Sequence, residues 1–130
     1  MAAPGLIEYN EASEEVRAVY DEIMATRKTD SVNNFWKALA RHPDTLRRTW
    51  ESIRTVMAAG ALDPLTKELL YLAVSATNQR QYCLASHSAS ARNKGMTDEI
   101  FGELMAVVGL ANQTNALAVA YRVPVDEQFQ

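Results

Sequence analysis

Apolar side chains recur along this chain at helical spacing, and no stretch of useful length alternates apolar and polar as a strand would. Val16, Val19, Tyr20 and Ile23, with Arg27 one turn on, share one face. They predict a first helix from about Ser13, as its N-cap, to about Lys28. Thr29-Asp30-Ser31 breaks it. Asn33 or Asn34 caps a short second helix through Phe35, Leu39 and Ala40, which His42-Pro43 ends. His42 reads as a cap or surface residue. Pro43 suits the first turn of a third helix, whose stripe is Leu46, Trp50, Ile53 and Met57, with Gly60 just past its end.

Asp63-Pro64 repeats the start signal, Asp as N-cap and Pro at the first helical position. The fourth helix runs to about Thr77 with Leu65, Leu69, Leu72 and Ala76 inward, and Asn78-Gln79-Arg80-Gln81 is a turn. A fifth helix, about Gln81 to Asn93, is dense in Ala and Ser, which lets another backbone approach closely; Gly95 ends it. Thr97 caps a sixth helix with Ile100, Leu104, Val107 and Val108 on its apolar face, and Gly109 ends or bends it. A last helix covers about Asn112 to Arg122, and Pro124 stops it. Residues 104–121 are apolar around most of the circumference, as in a buried helix or one shared with another subunit. The expectation is an all-α fold of about six or seven helices. With no repeat, low-complexity stretch or linker to divide it, residues 1–130 read as a single domain.

The net charge of −3 argues weakly against nucleic acid or an anionic membrane surface as partner. No apolar run approaches the ~18 residues that suggest a membrane span. The first residues, MAAPGLIEYNEASEE, have neither the basic nor the apolar region of a secretory leader. One cysteine forms no intrachain disulfide, so a reducing cytoplasm is the simplest location.

The chemistry concentrates in one run. Glu68, Cys83 and His87 stand as Glu-x14-Cys-x3-His. Cys83 is the single cysteine and His87 one of two histidines. Their spacing puts thiol and imidazole on one helix face, an arrangement that makes thiolate, the reactive form. Cys83 falls in the first turn of the fifth helix, where unpaired N–H groups favour an anion. The structural alternative is ordinary: most lone cysteines are small buried hydrophobes, and His87 is then a satisfied core histidine. Glu68 sits about 40° from Leu72 and about 60° from Leu65 around the fourth helix, on the flank of its core stripe. It is either a proton carrier in a cleft or a carboxylate beside Lys67 on a solvated shoulder. Trp36, Trp50 and Tyr82 read as packing. One Cys, one His and one Glu fit structural zinc poorly. With no Gly-rich phosphate loop, Ser-centred elbow or HExxH, neither metal nor cofactor is expected.

The segment from Glu68 to His87, continued by SASARNKGMTDEIFGEL, resembles the core of the carboxymuconolactone decarboxylase / alkylhydroperoxidase-D-like family. That core reads Glu-x11-Cys-x2-Cys-x3-His. Glu68, Cys83 and His87 match it, and Arg80 takes the place of the first cysteine. The stretches FWKALARHPDTLRRTWESIRTVMAAGALDPLTKELL and NQTNALAVAYRVPVD are also similar to family members.

The resemblance implies an orthogonal all-α helical bundle whose paired helices assemble into trimers or hexamers. In its peroxidase branch the cysteine near the histidine attacks peroxide, the first cysteine closes a disulfide with it, and Glu and His relay the proton. This chain has one thiol, so intramolecular disulfide turnover is excluded by counting. Three readings remain. In the first, a peroxidase-like oxidoreductase, Cys83 becomes a sulfenic acid that an external thiol reduces, with Arg80 assisting through its charge. In the second, a lyase or isomerase similar to the lactone decarboxylase branch, Arg80 holds a substrate carboxylate while Glu68 and His87 do acid–base work. In the third, the chain is a non-catalytic member with a structural or ligand-binding role.

Overall fold

A computed structural model describes residues 5–130; the part of the leader reading that falls on residues 1–4 lies outside the described residues. The described residues form six α-helices and two short 3-10 turns, with no strand. The chain divides into two compact units, 1–58 and 59–130.

The first unit holds α1 (Glu14–Arg27), α2 (Asn34–Leu39) and α3 (Pro43–Val56). Ser13 caps α1, its hydroxyl accepting from the Val16 N–H. Val16, Val19, Tyr20 and Ile23 are buried as their spacing requires. Arg27 lies beside that face with its guanidinium over the rings of Trp36 and Trp50, 5.5 Å from each. His42 caps α3: its Nδ1 accepts from the Thr45 N–H at 3.2 Å. Along α3, Leu46 and Trp50 are buried, and Ile53 packs half-buried against them.

On α2, Trp36 is buried, in keeping with its reading as packing, while its neighbour Phe35 is 37% exposed. In so short a helix one 100° step decides which aromatic faces the core. At the end of α3 one expectation is corrected: the cap is Met57 in a right-handed conformation, so Gly60 is not the terminating glycine.

The second unit holds α4 (Pro64–Thr77), α5 (Gln81–Asn93) and α6 (Asp98–Ala120). Asp63 caps α4 through the Thr66 N–H and hydroxyl, at 2.9 and 2.7 Å. The buried stripe of α4 is Glu68, Leu72 and Ser75, with Leu65 and Leu69 half-buried at its edge. The 78–80 turn closes by the Arg80 N–H bonding to the Ser75 carbonyl at 2.8 Å, with Gln79 left-handed at φ 55. It returns the chain antiparallel, so that α5 packs along α4. Gly95 follows the α5 cap at φ 107, a conformation that L side chains rarely adopt. The apolar cluster of this unit is Leu72, Ala91 and Met96, flanked by Leu65, Leu69, Leu84, Ile100, Phe101 and Leu104.

The two last expected helices are one. α6 runs unbroken through Gly109 for 23 residues, about 35 Å. A single glycine weakens a helix without ending it when no cap geometry follows. Val107, placed on the apolar face by its spacing, is 65% exposed. Every residue from 109 to 130 is exposed, so the C-terminal half of α6 is not buried, while Ile100, Phe101 and Leu104 of its first half pack against the cluster.

Candidate functional site

Glu68 is the centre of the site. It lies in the middle of α4, on the face turned to α5, and is 3% exposed. The solvated-shoulder alternative is therefore excluded. A buried carboxylate needs donors for its oxygens. Three side chains of α5 supply them. His87 Nδ1 lies 2.7 Å from Oε2. The Ser90 hydroxyl donates to Oε1 at 2.8 Å, and Lys94 Nζ donates to the same oxygen at 2.8 Å. Lys94 also donates to the Ser90 hydroxyl at 2.8 Å, closing a triangle of Lys94, Ser90 and Oε1.

The electrostatics follow from this arrangement. Burial alone pushes the Glu68 carboxyl upward. The hydrogen bonds from His87, Lys94 and Ser90, with the charge of Lys94, outweigh it and bring the group to about 2. Glu68 is thus an anion throughout the neutral range. An anion accepts only, so the shared bond takes its proton from His87 Nδ1, and whenever the ring is neutral its lone pair is on Nε2. Nε2 makes no hydrogen bond among the described residues. The face of the imidazole is covered by Tyr71, whose ring centroid lies 3.7 Å away at an interplanar angle of 21°.

Cys83 stands one turn before His87 on α5, half-buried. Residues 83, 87, 90 and 94 form one stripe, so the thiol and the Glu68 network share a helix face. The Cys83 thiol makes no hydrogen bond among the described residues. Arg80 is the N-cap of α5 and is exposed. The structure therefore brings Glu68 and His87 into direct contact, puts Cys83 on their stripe, and leaves Arg80 at the solvent end.

Sequence reasoning overlooked Tyr71, Ser90 and Lys94. Their signal was present as spacing: Ser90 and Lys94 repeat the His87 face, and Tyr71 lies three residues beyond Glu68 on α4.

The family model described as "Carboxymuconolactone decarboxylase family" matches residues 43–126, well over half of the chain and all of this site. The chain belongs to the carboxymuconolactone decarboxylase family. Within that family, a solved structure of the alkylhydroperoxidase AhpD core from Rhodospirillum rubrum is 53% identical. It superposes with a TM-score of 0.94 over 99% of this chain and 97% of that one. This supports the expected AhpD-like all-α fold. A protein from Paracoccus denitrificans, described as uncharacterized protein 4 in the cox locus, is 36% identical over 73 residues. That match spans 51% of this chain and 66% of the Paracoccus protein. Among the described residues no helix is long and apolar enough to cross a membrane, and no group of His, Cys, Asp and Glu is placed to hold a metal ion.

Proposed function

We propose that this chain is a peroxidase-like oxidoreductase that works with one cysteine. The observation that carries the reading is the buried Glu68–His87 bond of 2.7 Å, on the helix stripe that also holds Cys83. Glu68 holds Nδ1 and leaves Nε2 as the base. His87 Nε2 takes the thiol proton. The Cys83 thiolate attacks one oxygen of a hydroperoxide, the S–O bond forms, and the O–O bond breaks. The alkoxide or hydroxide that leaves takes the proton from His87. The product is Cys83 sulfenic acid and an alcohol or water. One external thiol then displaces water to give a mixed disulfide, and a second releases Cys83 as thiol together with an external disulfide. In this reading Glu68 orients the base and does not carry the proton, because its carboxyl stays ionised.

The test is the rate of Cys83 oxidation by hydrogen peroxide and by an organic hydroperoxide, followed as sulfenic acid by mass spectrometry. Fast oxidation that collapses in His87→Ala is expected. Oxidation no faster than that of a free thiol sinks the reading.

One observation favours a second reading. The Cys83 thiol has no hydrogen-bonding partner among the described residues, whereas Arg80 is exposed one turn earlier. In a decarboxylase-like lyase or isomerase Arg80 would hold a small carboxylate and His87 would move the proton, with no need of the thiol. A Cys83→Ser variant that keeps turnover of a small carboxylate substrate would select this reading.

The chain is further proposed to act as one domain and as a homo-oligomer, a trimer or hexamer. The family match crosses the division between the two compact units, which supports the first point. The exposed apolar residues Val107, Leu110, Leu117, Val119 and Tyr121 along α6 support the second. Sedimentation at micromolar concentration as a 14 kDa monomer would exclude the oligomer.

A further inference from the structure

We propose that Tyr71 is a positioning residue for His87, acting through the face of its ring; the inference rests on the peroxidase-like reading above. Tyr71 follows Glu68 by three residues on α4, so both reach His87 from the same helix face. They constrain the imidazole in different ways. The Glu68 bond pins one edge of the ring, at Nδ1. A single hydrogen bond leaves the ring free to swing about the line of that bond. The Tyr71 ring, stacked at 3.7 Å and 21°, removes that freedom. With edge and plane both held, the direction of Nε2 is set.

The stack also favours one charge state. The face of a phenol ring is negative, so a cation above it is held more strongly than a neutral ring. His87 becomes a cation when it holds the Cys83 proton. Tyr71 therefore stabilises the thiolate–imidazolium state relative to the thiol and neutral imidazole.

Two observations separate this from ordinary packing. Tyr71 is absent from the apolar cluster of its unit, which is built from Leu72, Ala91, Met96 and their flanking side chains. Its hydroxyl makes no hydrogen bond among the described residues, so its partner is the imidazole and the interacting group is the ring. Phenylalanine would then serve at this position, and an aliphatic residue of similar size would not.

The experiment measures the rate of Cys83 alkylation by iodoacetamide and of its oxidation by hydrogen peroxide at neutral pH. Wild type, Tyr71→Phe and Tyr71→Leu are compared, each with His87 present and with His87→Ala. Tyr71→Phe is expected to stay within about twofold of wild type. Tyr71→Leu is expected to be about five- to tenfold slower, the range of a stacked cation–aromatic pair. In the His87→Ala background, Tyr71→Leu should change nothing further. The His87 ring protons should be shifted upfield in the nuclear magnetic resonance spectra of wild type and Tyr71→Phe, and should lose that shift in Tyr71→Leu. Tyr71→Met, which keeps apolar volume without a ring, serves if Tyr71→Leu does not fold. Equal rates in Tyr71→Leu and wild type, or equal slowing in Tyr71→Phe and Tyr71→Leu, would overturn the proposal while leaving the peroxidase-like reading intact. Equal rates in wild type and His87→Ala would overturn both, because there would then be no base to position.

Discussion

Lys94 Nζ and Glu68 Oε1 lie 2.8 Å apart, joining the C-cap of α5 to the middle of α4. The pair explains how a carboxylate that is 3% exposed remains charged. Lys94 compensates it, Ser90 completes the same oxygen, and the other oxygen is left for His87.

Removing the cation should therefore leave a buried anion short of a partner. Lys94→Met is expected to lower the stability of the fold by about 1–3 kcal/mol, because Lys94 is itself partly exposed and the full penalty of a buried pair does not apply. Urea unfolding at neutral pH measures it. A change below a few tenths of a kcal/mol would mean that Ser90 and His87 suffice.

The same network predicts an acid limb. In the fold its hydrogen bonds and Lys94 bring the Glu68 carboxyl from the ordinary 4.5 down to about 2, against the opposing push of burial. A depressed group stabilises the fold above its unfolded value and loses that contribution as pH falls through its folded value. Glu68 should thus contribute at most about 3 kcal/mol at pH 5 and above, declining between about pH 5 and pH 2. Denaturation profiles from pH 7 to 2.5 should show this slope in wild type and a shallower one in Glu68→Gln. Identical slopes would show that other carboxylates govern acid unfolding.

Two glycines of the second unit should respond with opposite signs. Gly95 sits at φ 107, so Gly95→Ala should destabilise by roughly 1 kcal/mol or more. Gly109 lies inside α6, and an added Cβ there meets nothing within 4 Å. Gly109→Ala should stabilise by up to about 1 kcal/mol through helix propensity. Melting curves of both variants decide this. A loss at Gly109 would indicate a second chain packed against that turn of α6.

Arg80 stands where the resembled motif has its first cysteine. Arg80→Cys should place a second thiol one turn before Cys83, and peroxide treatment should then yield an intramolecular disulfide instead of a lasting sulfenic acid. Mass spectrometry of the oxidised variant checks this. Persistence of the sulfenic acid would mean that the turn holds residue 80 too far from the thiol to close the bond.

Much of this molecule was legible from local signals. Ser13, Asp63 and Thr97 announced helix starts because capping depends on neighbours three residues away. Helical spacing placed Val16, Tyr20, Ile23, Leu46 and Leu72 in cores. Glu68, Cys83 and His87 stood out by residue type and spacing alone. Where a local signal had two outcomes, packing chose between them. Gly109 permits either a break or a continuous helix, and continuity won. Phe35 and Trp36 are adjacent, and only tertiary contacts decided that Trp36 turns inward.

The site shows the division most clearly. The sequence by itself determined that a carboxylate, an imidazole and one thiol lie on two successive helices, since helix periodicity is a local property. Tertiary structure decided that Glu68 faces the core and not solvent, that Ser90 and Lys94 share its oxygen, and that Tyr71 lies flat on His87. Those outcomes depend on how α4 and α5 are rotated against each other. A rotation of one residue, about 100°, would separate every one of these pairs.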